Sequence, residues 1–379
     1  MRKCILLFLI CYCPLLLSGQ YHFKGKITDA QSGEPIPFVN IGILNASLGT
    51  VSDEEGMYEL RVPSSVAEPG DILRISSLGY QPEEYEFGEL QLNHNLNIAL
   101  KPTPIALKEV IVSSLPTYAV EEMAGEGIDR ATQQAYWKDS LALGAELATV
   151  VRVDKGPRKL NTFFFNVLHN PADSIYFRIN FYEIDRSTNL PGENLNKSSE
   201  NILYTLKKGE AEAIVDLKPF DIWVRDDFII SLELLQVFGS DEILLVLPAS
   251  EERFGRTLRR YASQGAWELI GSSGVGFYCQ STFYTDNERR ANNKRVRRQL
   301  LKNQRKVRGL VLFGPRGLAG VLVENLNTNA ETLSDSRGQY EILASPGDIL
   351  RYTRIGSGDR PVLRRVRESG NITVNLRGR

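Results

Sequence analysis

The chain has 379 residues, 42% of them hydrophobic and 24% charged, the composition of an ordinary globular protein of two or three domains. It is far too short for a large outer-membrane barrel, and after residue 17 no apolar stretch is long enough to cross a bilayer as a helix. The net charge of −1 hides an asymmetry: residues 20–112 carry 6 Lys+Arg against 13 Asp+Glu, and residues 307–379 carry 11 against 7.

The N-terminus reads as an export signal. Arg2 and Lys3 precede an apolar run from Cys4 to Leu17, and the small residues Ser18 and Gly19 follow before polar Gln20. Leu17-Ser18-Gly19 is also the lead-in of a lipoprotein signal, but Gln20 stands where a lipidated Cys is required. The expected product is an exported, unlipidated protein of the periplasm, the outer membrane or the medium. Cys4, Cys11 and Cys13 leave with the signal, so Cys279 remains alone and no intrachain disulfide can form. In its apolar context Cys279 is expected as a small buried hydrophobe.

Residues 20–112 read as a small β-sandwich. Val39, Ile41 and Ile43 alternate along one strand, Asp53-Glu54-Glu55-Gly56 breaks the pattern, and Tyr58 and Leu60 resume it. Pro69-Gly70-Asp71 makes another turn before Ile72-Leu73-Arg74-Ile75. The same order returns at the far end. Thr50-Val51-Ser52-Asp53-Glu54-Glu55-Gly56-Met57-Tyr58 is matched by Thr332-Leu333-Ser334-Asp335-Ser336-Arg337-Gly338-Gln339-Tyr340, and Pro69-Gly70-Asp71-Ile72-Leu73-Arg74 by Pro346-Gly347-Asp348-Ile349-Leu350-Arg351. Both copies open on a basic-Gly-apolar strand (Lys24-Gly25-Lys26-Ile27; Arg308-Gly309-Leu310-Val311), so 307–379 is expected to be a second copy of the first module.

The Thr-Val-Ser-Asp-x-x-Gly-x-Tyr run, Pro69-Gly70-Asp71-Ile72-Leu73 and the Ser77-Leu78-Gly79-Tyr80 step resemble the carboxypeptidase-like regulatory domain, a transthyretin-like β-sandwich abundant in exported proteins of Bacteroidota. Ala106-Leu107-Lys108-Glu109-Val110-Ile111-Val112 is similar to the segment that follows this domain in TonB-dependent receptors. The resemblance implies a non-catalytic module. It is weaker in the second copy, where Arg354-Ile355-Gly356-Ser357 replaces the Leu-Gly-Tyr step. Asp53-Glu54-Glu55 could be imagined as a calcium loop, but the second copy places Asp335-Ser336-Arg337 there, and a hairpin turn with solvated acids is the better reading.

Residues 113–144 read as a Pro/Gly/Glu-rich connector with a short helix over 129–140. From 145 to 286 a larger sandwich is expected. Ile175, Phe177, Ile179 and Phe181 occupy one face of a strand, and further strand-like runs cover 213–217, 222–224, 228–235, 243–247, 267–270 and 275–284. Short strands joined by Asn/Pro/Gly loops suggest a jelly-roll-like antiparallel architecture. The fold class is therefore all-β: two small Greek-key sandwiches flanking a larger one. Exposed aromatics of a jelly roll can stack on sugars, and Tyr176, Tyr182, Trp223, Tyr261, Trp267, Tyr278 and Tyr284 are available. Tyr176, Tyr182 and Trp267 are singled out as the ligand-binding set, the first two because they lie opposite the Ile175–Phe181 face. Residues 287–306 form a basic linker that could touch lipopolysaccharide or lipid headgroups but, lacking interleaved aromatics, is a poor nucleic-acid ligand.

No residue set announces a reaction. His22, His94 and His169 are scattered and give no zinc motif, and Gly271-Ser272-Ser273-Gly274 misses the nucleophile-elbow spacing. Glu183/Asp185 and Asp226/Asp227 are nominal acid pairs, too close in sequence to define a glycosidase pair by themselves. The expected function is non-catalytic binding or scaffolding at a bacterial envelope, with glycan or protein as partner and with no cofactor or metal. The alternatives are a glycan-active hydrolase centred on the middle sandwich, or an accessory component of a TonB-dependent uptake system.

Overall fold

The computed structural model describes residues 20–63, 66–90, 95–103, 118–125, 133–140, 143–250, 256–271, 273–293, 305–328, 330–357, 361–367 and 371–376. The export signal, the Ala106–Val112 segment, His94, Ser272 and most of the basic stretch lie outside them. The regular structure described is almost entirely strand. The chain divides into two compact units, Met1–Pro102 with Ala262–Gly265, and Thr103–Tyr261 with Ala266–Arg379.

In the first unit Gln20–Asp29 is the centre of a three-stranded sheet, antiparallel to Met57–Pro63 and parallel to Ile98–Leu100. A four-stranded sheet runs Gly49–Val51, Asn40–Ile43, Ile72–Ser76, Glu83–Glu86. The period-2 pattern of Met57–Pro63 buries Tyr58, Leu60 and Val62 and exposes Met57, Glu59 and Arg61. These buried side chains meet Phe23, Ile27, Ile41, Leu73, Ile75 and Phe87 in one core. Within the same unit Gln264 accepts the Asn45 N–H through its carbonyl at 3.1 Å and donates Nε2–H to Ser76 Oγ at 2.8 Å.

Residues 305–376 repeat this strand order. Arg305–Phe313 lies antiparallel to Gln339–Ala344 and parallel to Asn371–Asn375, and a four-stranded sheet runs Glu331–Leu333, Val321–Asn325, Ile349–Arg354, Val362–Arg365. The shared motifs have the same local bonding. Asp53 Oδ1 accepts the N–H groups of Glu55 and Met57 at 3.0 and 2.8 Å, and Asp335 Oδ1 those of Arg337 and Gln339 at 2.8 Å each. Gly56 and Gly338 close these turns at φ +74° and +79°, where a side chain would be strained. Ser52 and Ser334 each accept a backbone N–H, from Val39 and Val321, and donate to a carbonyl, of Ile36 and Leu318. The basic-Gly-apolar signature also has a cause. A Cβ on Gly25 would lie 2.0 Å from the Leu96 carbonyl oxygen, and one on Gly309 2.2 Å from that of Ile372, so only glycine admits the chain that pairs in parallel. Tyr58 and Tyr340 stand opposite these glycines and donate O–H to the same two carbonyls.

The middle sandwich is larger than the sequence suggested. One sheet orders Pro191–Asn194, Ser174–Ile184, Phe228–Phe238, Glu146–Val151, Thr257–Arg260 and Glu268–Gly271, with Leu203–Lys207 also paired to Ser174–Ile184. A second orders Glu212–Asp216, Arg158–Asn166, Phe277–Thr285 and Tyr118–Gly125, with Trp223–Val224 on Arg158–Asn166. A third, of Gly274–Val275, Glu242–Ser250 and Gln133–Ser140, completes it. Phe163, Phe165, Phe177, Phe181 and Phe277 interlock between them, with Phe163 centred 5.7 Å from Phe165, 6.1 Å from Phe181 and 5.7 Å from Phe277. Two expectations are corrected here. The helix placed over 129–140 is, from Gln133 to Ser140, a strand antiparallel to Glu242–Ser250, with Trp137 buried and Tyr136 exposed; the waiting sheet edge outweighs local propensity. The connector 113–144 thus holds two sheet strands, Tyr118–Gly125 and Gln133–Ser140, so the sandwich starts well before residue 145.

Within the second unit the last module packs on the outer face of the second sheet. Phe164, Ile214 and Tyr278 from the sandwich form a buried cluster with Leu326, Ile349 and Leu363. The Arg365 guanidinium sits 4.3 Å from the Phe164 ring centre and 5.1 Å from that of Tyr278, pairs with Glu212 at 2.9 Å and donates to the Tyr278 hydroxyl at 2.9 Å. Arg351 bridges Glu324 of its own module, at 2.7 and 2.8 Å, to Asp216 of the sandwich at 3.0 Å. Lys218 donates Nζ–H to the Leu326 carbonyl at 2.8 Å.

Candidate functional site

The three aromatics singled out from sequence are not an exposed platform. Tyr176 is only 9% exposed, which corrects its assignment to an open face. Tyr182 and Trp267 do meet, edge to face at 6.1 Å between ring centres, in a small cluster with Ile229, Leu258 and Leu190. The face opposite Ile175–Phe181 is therefore covered as well. Sequence alternation correctly separates the two faces of Ser174–Ile184 but cannot say that both are buried.

That second face carries a buried row of charge that sequence reasoning missed. Arg178, Glu233, Glu146 and Arg260 stand opposite one another in register across four neighbouring strands. Arg178 grips Glu233 with two bonds, Nη2 to Oε1 at 2.6 Å and Nε to Oε2 at 2.7 Å, and Asn180 adds a third to Oε2 at 2.8 Å. Glu146 accepts from Arg260 Nη2 and from the Ser231 hydroxyl, and the Tyr182 hydroxyl lies 3.2 Å from each of its oxygens. Relative exposure is 4% for Arg178, 1% for Glu233 and 0% for Glu146. Two arginines balance two carboxylates, which is how such charge becomes tolerable in a dry interior.

The two carboxyls diverge in acidity. Burial pushes Glu146 up, and the nearby Glu233 adds to this against the pull of Arg260. For Glu233 burial also pushes upward, but the Arg178 guanidinium and its hydrogen bonds outweigh it and hold the carboxyl below the usual range. The pair can hold a proton on one member, yet as folded both are sealed from solvent. The signal for them was present in sequence: Glu146, Arg178 and Glu233 each interrupt an apolar strand at a position facing away from the core.

The nominal acid pairs have local roles. Asp185 caps its own turn, accepting the N–H and the hydroxyl of Ser187 at 2.7 and 2.6 Å, and these bonds lower its pKa. Asp227 accepts the Val153 N–H at 2.8 Å, and Asp226 accepts the N–H of Asp227 at 3.0 Å. Glu183 is exposed on its strand. Cys279 is fully buried in the sandwich core, and burial pushes its thiol well up, so it packs as a hydrophobe. Among the described residues no group of three or more His, Cys, Asp or Glu side chains is placed to hold a metal ion. None of the described helices is long and apolar enough to cross a membrane.

A second aromatic pair lies on the outward face of the second sheet. Trp223 and Tyr284 pack with ring centres 5.3 Å apart and planes tilted by 34°, and both are half-buried. Lys159, opposite both Trp223 and Thr282, pairs with Asp221, while Asn161 donates Nδ2–H to Thr282 Oγ1 at 2.8 Å.

Comparison with known proteins locates the first module. Residues 23–112 match the family model described as CarboxypepD_reg-like domain. The chain is 26% identical over 125 residues to TonB-dependent receptor P3 of Formosa agariphila, a match covering 33% of this chain and 12% of the receptor. It is 31% identical over 106 residues to TonB-dependent receptor SusC of Bacteroides thetaiotaomicron, covering 28% of this chain and 10% of that one. The chain therefore spans about a tenth of the curated relatives it matches. Among solved structures, the cysteine protease and lectin-like domains of Cwp84 from Clostridium difficile align at TM-score 0.30 and 10% identity, over 65% of this chain and 58% of that one. The major pilin subunit BcpA of Bacillus cereus aligns at TM-score 0.15 and 10% identity, over 95% and 99%.

Proposed function

We propose that this protein is an exported, non-catalytic scaffold of the bacterial envelope, in which a CarboxypepD_reg-like module precedes a β-sandwich that carries a divergent second copy of that module. The observation that carries the reading is the match of residues 23–112 to that domain, together with its likeness to parts of two TonB-dependent receptors. The common strand order and shared turn chemistry of 20–100 and 305–376 support the second copy. The enclosure of Glu146 and Glu233, which stand opposite one another on Glu146–Val151 and Phe228–Phe238, favours a structural use of this carboxylate pair. Glycan or protein is the partner class, and an accessory place in TonB-dependent uptake is the reading the receptor likeness favours next.

Two measurements test this. Fractionation of the native host, with mass spectrometry of the mature N-terminus, should find the chain in the envelope or the medium, starting at Gln20 without acyl mass; a cytosolic protein would overturn the reading. The full chain incubated with a polysaccharide panel should release no reducing ends. Turnover lost in Glu146→Gln or Glu233→Gln would establish the hydrolase instead.

A further inference from the structure

Two glycines are paired within the four-stranded sheet of the first module. Gly42 stands opposite Gly49 on one neighbouring strand and Arg74 on the other. Glycine weakens a strand interior, and it often marks a place where another backbone comes close. That backbone is Ala262–Gly265, which belongs to the same compact unit although it lies far along the chain. A Cβ on Gly42 would lie 2.1 Å from the Ser263 carbonyl oxygen, and one on Gly49 2.4 Å from the same atom. The approach is equally tight from the other side, where a Cβ on Gly265 would come within 2.9 Å of the Ala46 carbonyl oxygen. Ala262 and Ser263 lie in the loop between the paired strands Thr257–Arg260 and Glu268–Gly271, yet they are 1% and 0% exposed.

The loop is shaped for this contact. Gly265 N–H donates to the Ala262 carbonyl at 3.0 Å, which makes Gln264 the third residue of a four-residue turn, at φ +62°. Glycine is the usual residue at a turn position of positive φ, and a glutamine held there is strained. The glutamine supplies two bonds in its place. Its carbonyl accepts the Asn45 N–H at 3.1 Å, and its Nε2–H donates to Ser76 Oγ at 2.8 Å. A glycine could make only the first of these.

The second module has no such notch. Val39 and Val321 donate N–H to Ser52 and Ser334 in the same way, which aligns Gly42 with Glu324, and the match of Thr50 to Thr332 aligns Gly49 with Glu331. Two glutamates stand where two glycines admit the turn, and Glu324 pairs with Arg351 instead.

We propose that the Gly42–Gly49 face of the first module is a receptor for a tight turn, and that Ala262–Gly265 is its resident occupant, an intramolecular clip that completes the first unit. The occupant it fits is a neutral turn that presents one carbonyl to the glycine pair, a second to Asn45 and an amide side chain to Ser76.

The test is hydrogen exchange on the full chain at single-residue resolution, with the Asn45 amide as reporter because its acceptor is Gln264. In Gly42→Ala the new methyl takes the space of the Ser263 carbonyl, and exchange at Asn45 should rise by about tenfold or more. Exchange across Gln20–Asp29 and Met57–Pro63 should stay as in the unaltered chain. Ser76→Ala and Gln264→Ala, which remove only the side-chain bond, should raise it by a smaller factor. Gly70→Ala, where a methyl meets open space, should change nothing. Should Gly42→Ala fail to fold by circular dichroism, Ser76→Ala and Gln264→Ala carry the test. Unchanged exchange at Asn45 in folded Gly42→Ala, or in both side-chain variants, overturns the clip. A rise spread evenly over the first module overturns it too, because the variants would then be loosening the module itself.

Discussion

Glu146 and Glu233 face each other across two strands, yet they differ in what a proton does to them. Glu233 is lowered below its ordinary value, so its contribution to stability is present above the unfolded pKa and is lost as pH falls through the folded one. Glu146 is raised, so its contribution is present below the unfolded pKa and is lost as pH rises through the folded one. Glu233→Gln leaves the buried Arg178 without its bidentate partner and should cost about 3–5 kcal/mol in urea unfolding at neutral pH. Glu146→Gln should cost clearly less, because a neutral side chain is what burial already favours there. As pH rises above the usual carboxylate range, the difference between this variant and the unaltered chain should shift in the variant's favour. Equal losses for the two variants, or no pH trend, would mean that the row does not distinguish its carboxyls as the geometry requires.

The turns show which elements are legible from sequence. Ser-Asp-x-x-Gly-x-Tyr could be read in both modules because its Asp and Gly build one turn by themselves. Ser52 and Ser334 join two turns, Asp53 and Asp335 cap one, and Gly56 and Gly338 take a left-handed φ. Even the replaced Leu-Gly-Tyr step keeps its backbone. Tyr80 N–H donates to Ser77 O and Ser357 N–H to Arg354 O, with Gly79 and Gly356 at φ +82° and +79°. Only the reach of the Tyr80 hydroxyl to Asp29, at 3.0 Å, has no counterpart among the described bonds of the second module. Strand Gln133–Ser140 was hidden because its place depends on Glu242–Ser250, about a hundred residues away; the charge row left its mark as charged residues within apolar strands, but the alternation gives no sign that this second face is buried too. Since the Asp53 carboxylate already takes two backbone N–H groups, Asp53→Ala and Asp335→Ala should each cost about 1–2 kcal/mol. Melting with millimolar calcium and with chelator should coincide. A calcium-dependent rise of several degrees, lost in Asp53→Ala, would make the loop a metal site.

At the scale of the molecule, the two related modules differ in what their four-stranded sheets present. Register places Ile349 opposite Arg365 and Arg351 opposite Leu363, while the first module has Ile72 opposite Glu86 and Arg74 opposite Glu84. The substitution of Leu and Arg for two glutamates is what equips the last module to meet Phe164, Ile214, Tyr278 and Glu212 of the sandwich. An Arg lying over two stacked rings that also pairs with a carboxylate is a strong anchor, because cation–π contact and charge act on one rigid group. The sandwich and last module should therefore melt in a single calorimetric transition. Arg365→Ala should lower that transition by the equivalent of about 1–3 kcal/mol. Arg365→Glu, which restores the charge found in the first module, should place like charge against Glu212 and split the transition in two, with faster proteolysis near residue 305. One unsplit transition in the folded Arg365→Glu variant would show that Leu326, Ile349 and Leu363 hold the interface without the arginine.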